Sequence, residues 1–161
     1  MNGYRIIVIS DTHGSFQALH NIVQKHLEEA TCFIHLGDGF REIEDIKALY
    51  PELKLYAVRG NCDFGVDTPA VRQVVVGDTQ ILCTHGHLQS VKYSFSQLIQ
   101  TAKSTNSQIA LYGHTHQGNT FYEDGIYIMN PGSPVQPRNS KASYGVIDIT
   151  DAGIVCHLIL Y

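Results

Sequence analysis

Tyr4-Arg5-Ile6-Ile7-Val8-Ile9-Ser10-Asp11-Thr12-His13-Gly14 is the stretch on which the reading of this chain turns. It begins as an almost unbroken apolar run of strand length, rich in β-branched residues, and stops at a cluster of small and polar ones. That pattern predicts a fully buried strand. If the extended conformation continues past it, Asp11 and His13 put a carboxylate and an imidazole on one side of the chain, a pair able to grip a metal ion. Gly14 lets the chain turn, and Ser15 caps a helical pattern of Phe16, Leu19, Ile22, Val23 and Leu27. Alone, Asp11-x-His13 reads equally well as a loop with a capping aspartate and a solvent-facing histidine. The later strand ends decide between the two.

The same grammar repeats along the chain. An apolar run at 32–36 ends in Gly37-Asp38-Gly39, and helical spacing over 41–50 is closed by Pro51. A third run at 53–58 reaches Arg59-Gly60-Asn61-Cys62-Asp63. Strand alternating with helix predicts a parallel sheet. From Ala70 the character changes: 71–76 and 79–83 flank Gly77-Asp78, a hairpin signal, and the second strand ends in Thr84-His85-Gly86-His87. An amphipathic helix is predicted over 90–103, then a strand over 108–112 ending in Gly113-His114-Thr115-His116. A second hairpin (118–122, 125–129), the rigid loop Asn130-Pro131-Gly132-Ser133-Pro134 and an antiparallel pair (142–149, 154–160) complete the order.

The 161 residues suit one domain spanning 1–161, with enough chain to bury a core. With 43% apolar and 16% charged residues, disorder is excluded, and the net charge of −4 argues against non-specific binding of a nucleic-acid backbone. Neither a secretory signal nor an apolar run of membrane-spanning length is visible. Cys32, Cys62, Cys83 and Cys156 are widely spaced, which fits reduced thiols and a cytoplasmic protein. Cys32 and Cys83 fall in strand-like runs and are expected in the core.

In an open α/β sheet, ligands bind at the carboxyl ends of the strands. Here those ends present Asp11 and His13, Asp38, Asn61, His85, and His114 with His116. Two carboxylates, an amide oxygen and four imidazoles suit Mn²⁺, Fe or Zn²⁺ and not a sulfur-ligated structural zinc. They are too many for one ion with an open position and about right for two ions that share a carboxylate. Glycine beside nearly every one of them fits a backbone that must come close.

These blocks, in this order, resemble the calcineurin-like metallophosphoesterases over nearly the whole chain. The small size, Val58-Arg59-Gly60-Asn61-Cys62-Asp63 and the Asn130-Pro131-Gly132-Ser133 loop look like the compact bacterial and archaeal phosphodiesterase branch. The resemblance implies an α/β fold, a four-layer sandwich of two mixed sheets flanked by helices. It implies two divalent ions, Mn²⁺ first and Zn²⁺, Fe or Ni²⁺ as alternatives. Asp11, His13, Asp38 and His116 would hold one, and Asp38, Asn61, His85 and His114 the other. A hydroxide between the two ions would attack phosphorus in line. Arg59, Asn130 and Arg138 are candidates for contacts to substrate, Arg138 reading equally as a solvent-facing arginine.

The chain departs from many relatives at Cys62, where they carry a histidine that protonates the leaving group. A substrate whose leaving group needs little protonation, or His87 as the acid, would compensate; His87 also reads as a residue orienting a ligand. The expected substrate is a small phosphodiester or phosphomonoester. The alternative function is a protein-interaction scaffold of the retromer-subunit type, which departs at the positions of Asp38 and Asn61. Exposed edge strands would permit a homodimer.

Overall fold

The computed structural model describes residues 3–161. The elements run β1 (Tyr4–Ile9), α1 (Phe16–His26), β2 (Cys32–His35), α2 (Phe40–Leu49), β3 (Leu55–Ala57), β4 (Val71–Val76) and β5 (Thr79–Thr84). They continue with α3 (Ser96–Ser104), β6 (Ile109–Leu111), β7 (Asn119–Glu123), β8 (Ile126–Asn130), β9 (Ser143–Thr150) and β10 (Gly153–Leu160). Two five-stranded mixed sheets result, ordered β10-β9-β1-β2-β3 and β4-β5-β6-β8-β7.

The unbroken apolar run at the start is explained by the place of β1, central in its sheet, parallel to β2 and antiparallel to β9. Its alternate side chains serve two different interiors. Ile6 and Val8, with Cys32 and Ile34, pack between the sheets against Ile81, Cys83, Ile109 and Leu111. Ile7 and Ile9, with Phe33, pack outward against Leu19, Ile22 and Val23 of α1 and Ile43 and Ile46 of α2. On the other sheet Leu82, Ala110 and Ile128 meet Leu98, Ile99 and Ala102 of α3. Helices, sheet, sheet and helix therefore form four layers. Each fully buried Ile, Leu or Val contributes roughly 1.5–3 kcal/mol.

The two N-terminal helices start in different ways. Ser15 Oγ accepts from the Ala18 N–H at 3.2 Å, a local cap for α1. At α2 the N-cap is Gly39, which has no side chain to offer. Its free donors are met from a distant loop: Asp63 accepts from the Gly39 and Phe40 N–H groups at 3.1 and 3.2 Å. The carboxylate also suits the positive end of the helix dipole.

Helix α3 begins at Ser96, six residues later than the pattern over 90–103 predicts. Gly86 and Ser90 take left-handed conformations (φ 111° and 55°) around one 3-10 turn, His87–Gln89, and Ser94 Oγ then accepts from the Ser96 N–H. Val91 still enters the core from the turn, which is why the sequence looked helical there. The third run is regular only over Leu55–Ala57, although Phe33 N to Lys54 O and Val58 N to His35 O continue its pairing at either end.

Candidate metal centre

All five expected strand ends meet at one edge, in the crevice where the two sheets face each other. Loop-to-loop hydrogen bonds tie them together: Asp11 N to Gly37 O (3.0 Å), His13 N to Asp38 O (2.9 Å) and Gly113 N to His85 O (2.8 Å). The chain reaches this geometry through strained backbone. Asp11, His13, Asp38, His114 and His116 all have positive φ, from 40° to 72°. Side chains other than glycine rarely adopt that region, and such residues gather where a site demands it. The extended arrangement expected for Asp11-Thr12-His13 is therefore replaced by left-handed turns, which bring the two side chains together all the same.

Four donor atoms converge on one point. His13 Nε2 lies 3.1 Å from His116 Nε2, 3.5 Å from Asp11 Oδ1 and 3.6 Å from Asp38 Oδ2. His116 Nε2 is 3.2 Å from Asp11 Oδ1. On the other side His85 Nε2 is 3.2 Å from Asp38 Oδ2 and 3.8 Å from Asp11 Oδ1. His114 Nδ1 and Asn61 Oδ1 are 3.1 Å apart, and the His114 and His85 rings meet edge to face at 5.1 Å.

Neighbouring groups decide which atoms face inward. The Nδ1–H of His85 donates to Leu36 O and that of His116 to Gln136 O, both at 2.7 Å, leaving each Nε2 with a free lone pair. Asp11 Oδ2 is occupied by the Ser10 hydroxyl at 2.6 Å and the His114 N–H at 3.1 Å, and Asp38 Oδ1 by the Cys62 N–H at 2.8 Å. Asp11 Oδ1 and His85 Nε2 remain fully buried with no hydrogen-bond partner. Buried polar atoms left so are costly, and a divalent cation among them would satisfy both. The residues fit a metal ion with hard oxygen and borderline nitrogen donors.

The charges agree. Burial by itself would raise the Asp11 carboxyl, but the His116, His13 and His85 imidazoles gathered around it hold it well below the usual carboxylate range. Burial likewise opposes ionisation of Asp38, and His85 overcomes it, so its carboxyl also sits low. Both aspartates are anions. His114 is pushed down to about 4 by burial and then by His85, so it is neutral and free to donate a lone pair.

Glycine removes obstruction at the tightest point. A Cβ on Gly60 would lie 2.1 Å from Asp38 Oδ1 and 2.6 Å from Asp38 N, and one on Gly37 2.6 Å from Gly60 N. Asp63 stitches these loops together, accepting also from Asp38 N (2.8 Å) and Gly60 N (2.7 Å). Glu42, buried on α2, accepts from Thr12 Oγ1 (2.7 Å) and Gly14 N (2.9 Å). The sequence pattern assigned no role to Glu42 or Asp63. A charged residue on the apolar face of α2, next to Ile43, was the available signal for Glu42.

The remaining candidates separate. Asn130 is fully buried, its Nδ2 donating to Gly113 O and Thr115 Oγ1 and its Oδ1 accepting from Gly132 N. It therefore braces the histidine loop and has no atom left for substrate. Arg59 donates to Thr68 O at 3.0 Å, and its charge reaches His87. Arg138 is exposed, with its backbone N–H on His116 O at 2.9 Å. Cys62 is exposed at the mouth, its thiol pushed up by burial and by Asp38, and its sulfur lies within 4.8 Å of donor atoms of His13 and Asp38. His87 borders His85 at a ring separation of 5.5 Å, and its Nδ1 is buried without a partner. Two clefts flank the donors. One of about 390 Å³ is walled by His13, Asp38, Cys62, Phe40 and Phe64, and one of about 620 Å³ by Thr115, Tyr112, Tyr93, Lys92 and Arg138.

Residues 4–152 match the calcineurin-like phosphoesterase superfamily domain, a span that contains every one of these donors. The chain belongs to that superfamily. A probable metallophosphoesterase of Bacillus subtilis, YsnB, is 32% identical over 153 residues, covering 93% of this chain and 88% of its own. Phosphodiesterase YfcE of Escherichia coli is 29% identical over 167 residues, covering 89% and 87%. Among solved structures, a predicted phosphoesterase from Streptococcus pneumoniae superposes with a TM-score of 0.88 at 30% identity, covering 99% of this chain and 91% of that one. Vps29 of Entamoeba histolytica shares the fold, with a TM-score of 0.73 at 19% identity and coverage of 98% and 99%. Metallophosphoesterases use divalent metals, and this chain presents groups of side chains that could hold such an ion.

Proposed function

We propose that this calcineurin-like phosphoesterase is a phosphodiesterase that hydrolyses small phosphodiesters by in-line attack on phosphorus. The observation that carries it is the pair of buried, unpartnered atoms, Asp11 Oδ1 and His85 Nε2, set among the donor atoms of His13, His116 and Asp38. Asp11, His13, Asp38 and His116 would hold one divalent ion and Asp38, Asn61, His85 and His114 a second, with Asp38 shared and Mn²⁺ first among the candidates. When bound, such ions supply a water acidic enough to act as nucleophile near neutral pH and positive charge beside the phosphoryl oxygens.

The protein's own contribution is positioning. Ser10, the His114 N–H and the Cys62 N–H each occupy the outer oxygen of an aspartate and so aim the inner one at the centre. The Leu36 and Gln136 carbonyls fix the tautomers of His85 and His116. Two clefts, one on each side of the donors, give room for both arms of a diester. A thiol at Cys62 in place of an imidazole favours substrates whose leaving group needs little protonation. The four free cysteines support a reducing, cytoplasmic setting.

The test is hydrolysis of bis-p-nitrophenyl phosphate against p-nitrophenyl phosphate by metal-stripped protein reconstituted with Mn²⁺, with Asp38→Asn as control. Metal-dependent turnover of the diester in preference to the monoester, lost in the variant, is the expected result. No turnover of either with metal bound would overturn it and favour the interaction-scaffold reading.

A further inference from the structure

The two clefts beside the metal ligands differ in charge. The larger, about 620 Å³, is lined by Lys92 and Arg138 and by no aspartate or glutamate, in a chain whose net charge is −4. Among the described residues neither cation is paired with a carboxylate. The cleft opens directly onto the ligand loop: Thr115, between His114 and His116, is in its wall, and the Arg138 backbone is hydrogen-bonded to His116 O at 2.9 Å. Its inner wall is aromatic. Tyr112 is 2% exposed and packs against Phe95 at 5.2 Å, while Tyr93, 90% exposed, stands beside Lys92 at the rim. An exposed ring facing solvent beside unpaired cations is a surface on which a planar group bearing negative charge is held by stacking and by charge-assisted hydrogen bonds. The smaller cleft, about 390 Å³, has the opposite balance, with Asp38, Glu42 and Asp63 against Arg41 and the apolar faces of Phe40 and Phe64.

We propose that the substrate is an asymmetric phosphodiester, one arm of which joins a planar ring to a second anionic group, the chemistry of a nucleotide bearing a further phosphate. That arm lies in the Lys92–Arg138 cleft, and the uncharged arm faces Phe40 and Phe64. The proposal rests on the phosphodiesterase reading and adds the substrate class to it. The arm ends in its phosphate and does not continue as a polynucleotide, because the net negative charge offers no track for more backbone.

The experiment compares two chromogenic diesters on the Mn²⁺-loaded protein: thymidine 5′-(p-nitrophenyl phosphate) and the same compound carrying a 3′-phosphate. The expected result is a higher kcat/KM for the phosphorylated diester. Lys92→Ala and Arg138→Ala should each lower the ratio of the two kcat/KM values about tenfold, the worth of one charge-assisted hydrogen bond. High salt should lower the same ratio in the wild type. Equal kcat/KM for the two diesters, or a ratio unmoved by both substitutions, would overturn the substrate class while leaving diester hydrolysis standing. Tighter inhibition by oligothymidylate than by thymidine 3′,5′-bisphosphate would overturn the small-molecule assignment. If no diester is turned over, the phosphodiesterase reading itself fails. Binding of thymidine 3′,5′-bisphosphate that Lys92→Glu weakens then still supports the cleft as an anion-and-ring site, and its absence overturns that too.

Discussion

Gly60→Ala adds a single methyl group and should unsettle the metal centre more than most substitutions of larger residues on the surface. The new Cβ would stand 2.1 Å from Asp38 Oδ1, 2.6 Å from Asp38 N and 2.7 Å from Asp38 Cγ, where such atoms essentially never approach within 3.0 Å. About 1 Å of displacement is therefore required, and it falls on groups that are not free to give way. Asp38 N is bound to Asp63, Asp38 Oδ1 to the Cys62 N–H, and Asp38 itself holds a left-handed φ of 58°. Overpacking of this kind costs about 1–3 kcal/mol, and for a chain of this size each kcal/mol lowers Tm by roughly 2–4 °C. A misplacement of about 1 Å at a reacting centre costs on the order of 10²-fold in rate. The assay is thermal denaturation of the metal-free protein, calorimetric titration with Mn²⁺, and diester hydrolysis. Gly65→Ala is the control: nothing lies within 4 Å of its Cβ, so the substitution bears only the local strain of its positive φ (70°), a strain that Gly60 does not share. Gly60→Ala protein with metal affinity, Tm and turnover equal to those of Gly65→Ala would refute the claim that the close approach to Asp38 is what requires glycine.

Burial holds His35 at about 4 against 6.5 in the unfolded chain, with Gly37 N–H on its Nδ1 and its Nε2–H directed to Thr12 Oγ1. Because the folded pKa is depressed, its contribution to stability is complete above pH 6.5 and is lost as pH falls toward 4, by up to about 3 kcal/mol. Urea denaturation of His35→Gln should show a correspondingly smaller loss over that window; an unchanged pH slope would count against a neutral buried His35. Asp63→Ala removes the acceptor of four backbone N–H groups and should cost about 2–4 kcal/mol, with Asp63→Asn recovering part of it and metal affinity falling in both; a Tm within a degree of wild type for the alanine variant would contradict the stitching role. Chelation should lower Tm, since metal at a thousandfold excess over its Kd adds about 4 kcal/mol of stability. A Tm indifferent to chelator in protein shown beforehand to contain metal would deny that the ion is held in the folded crevice.

The order of strands and helices was legible because each buried strand carries an apolar run and each break carries glycine, proline or a capping side chain. The seven candidate ligands were legible for a related reason: a chemistry-bearing residue directly after a buried strand has few structural explanations, and here it recurs at every strand end along one edge. Local pattern misled where backbone geometry overrode it. Ser90 in the left-handed region delays the start of the helix that Val91 and Phe95 suggested, and Asn130, read as a contact to substrate, spends its amide nitrogen on the histidine loop and its oxygen on Gly132 N.

From its own sequence this protein acquires the alternation that makes β1 serve two interiors, the cap at Ser15, and the chemical identity of every donor in the crevice. Only the tertiary structure decided which oxygen of Asp11 stays unpartnered, which tautomers His85 and His116 take, that Asp63 rather than a local side chain starts α2, and that the two clefts oppose each other in charge. The physical reason is distance along the chain. Capping and periodicity act between residues a few positions apart. Apart from the Ser10 hydroxyl on its neighbour Asp11, the contacts that aim the ligands join residues 20 to 122 positions apart, such as His116 with Gln136, Asp38 with Asp63, His85 with Leu36 and Ser133 Oγ with Asp11 O, and these form only once both sheets have closed on one core.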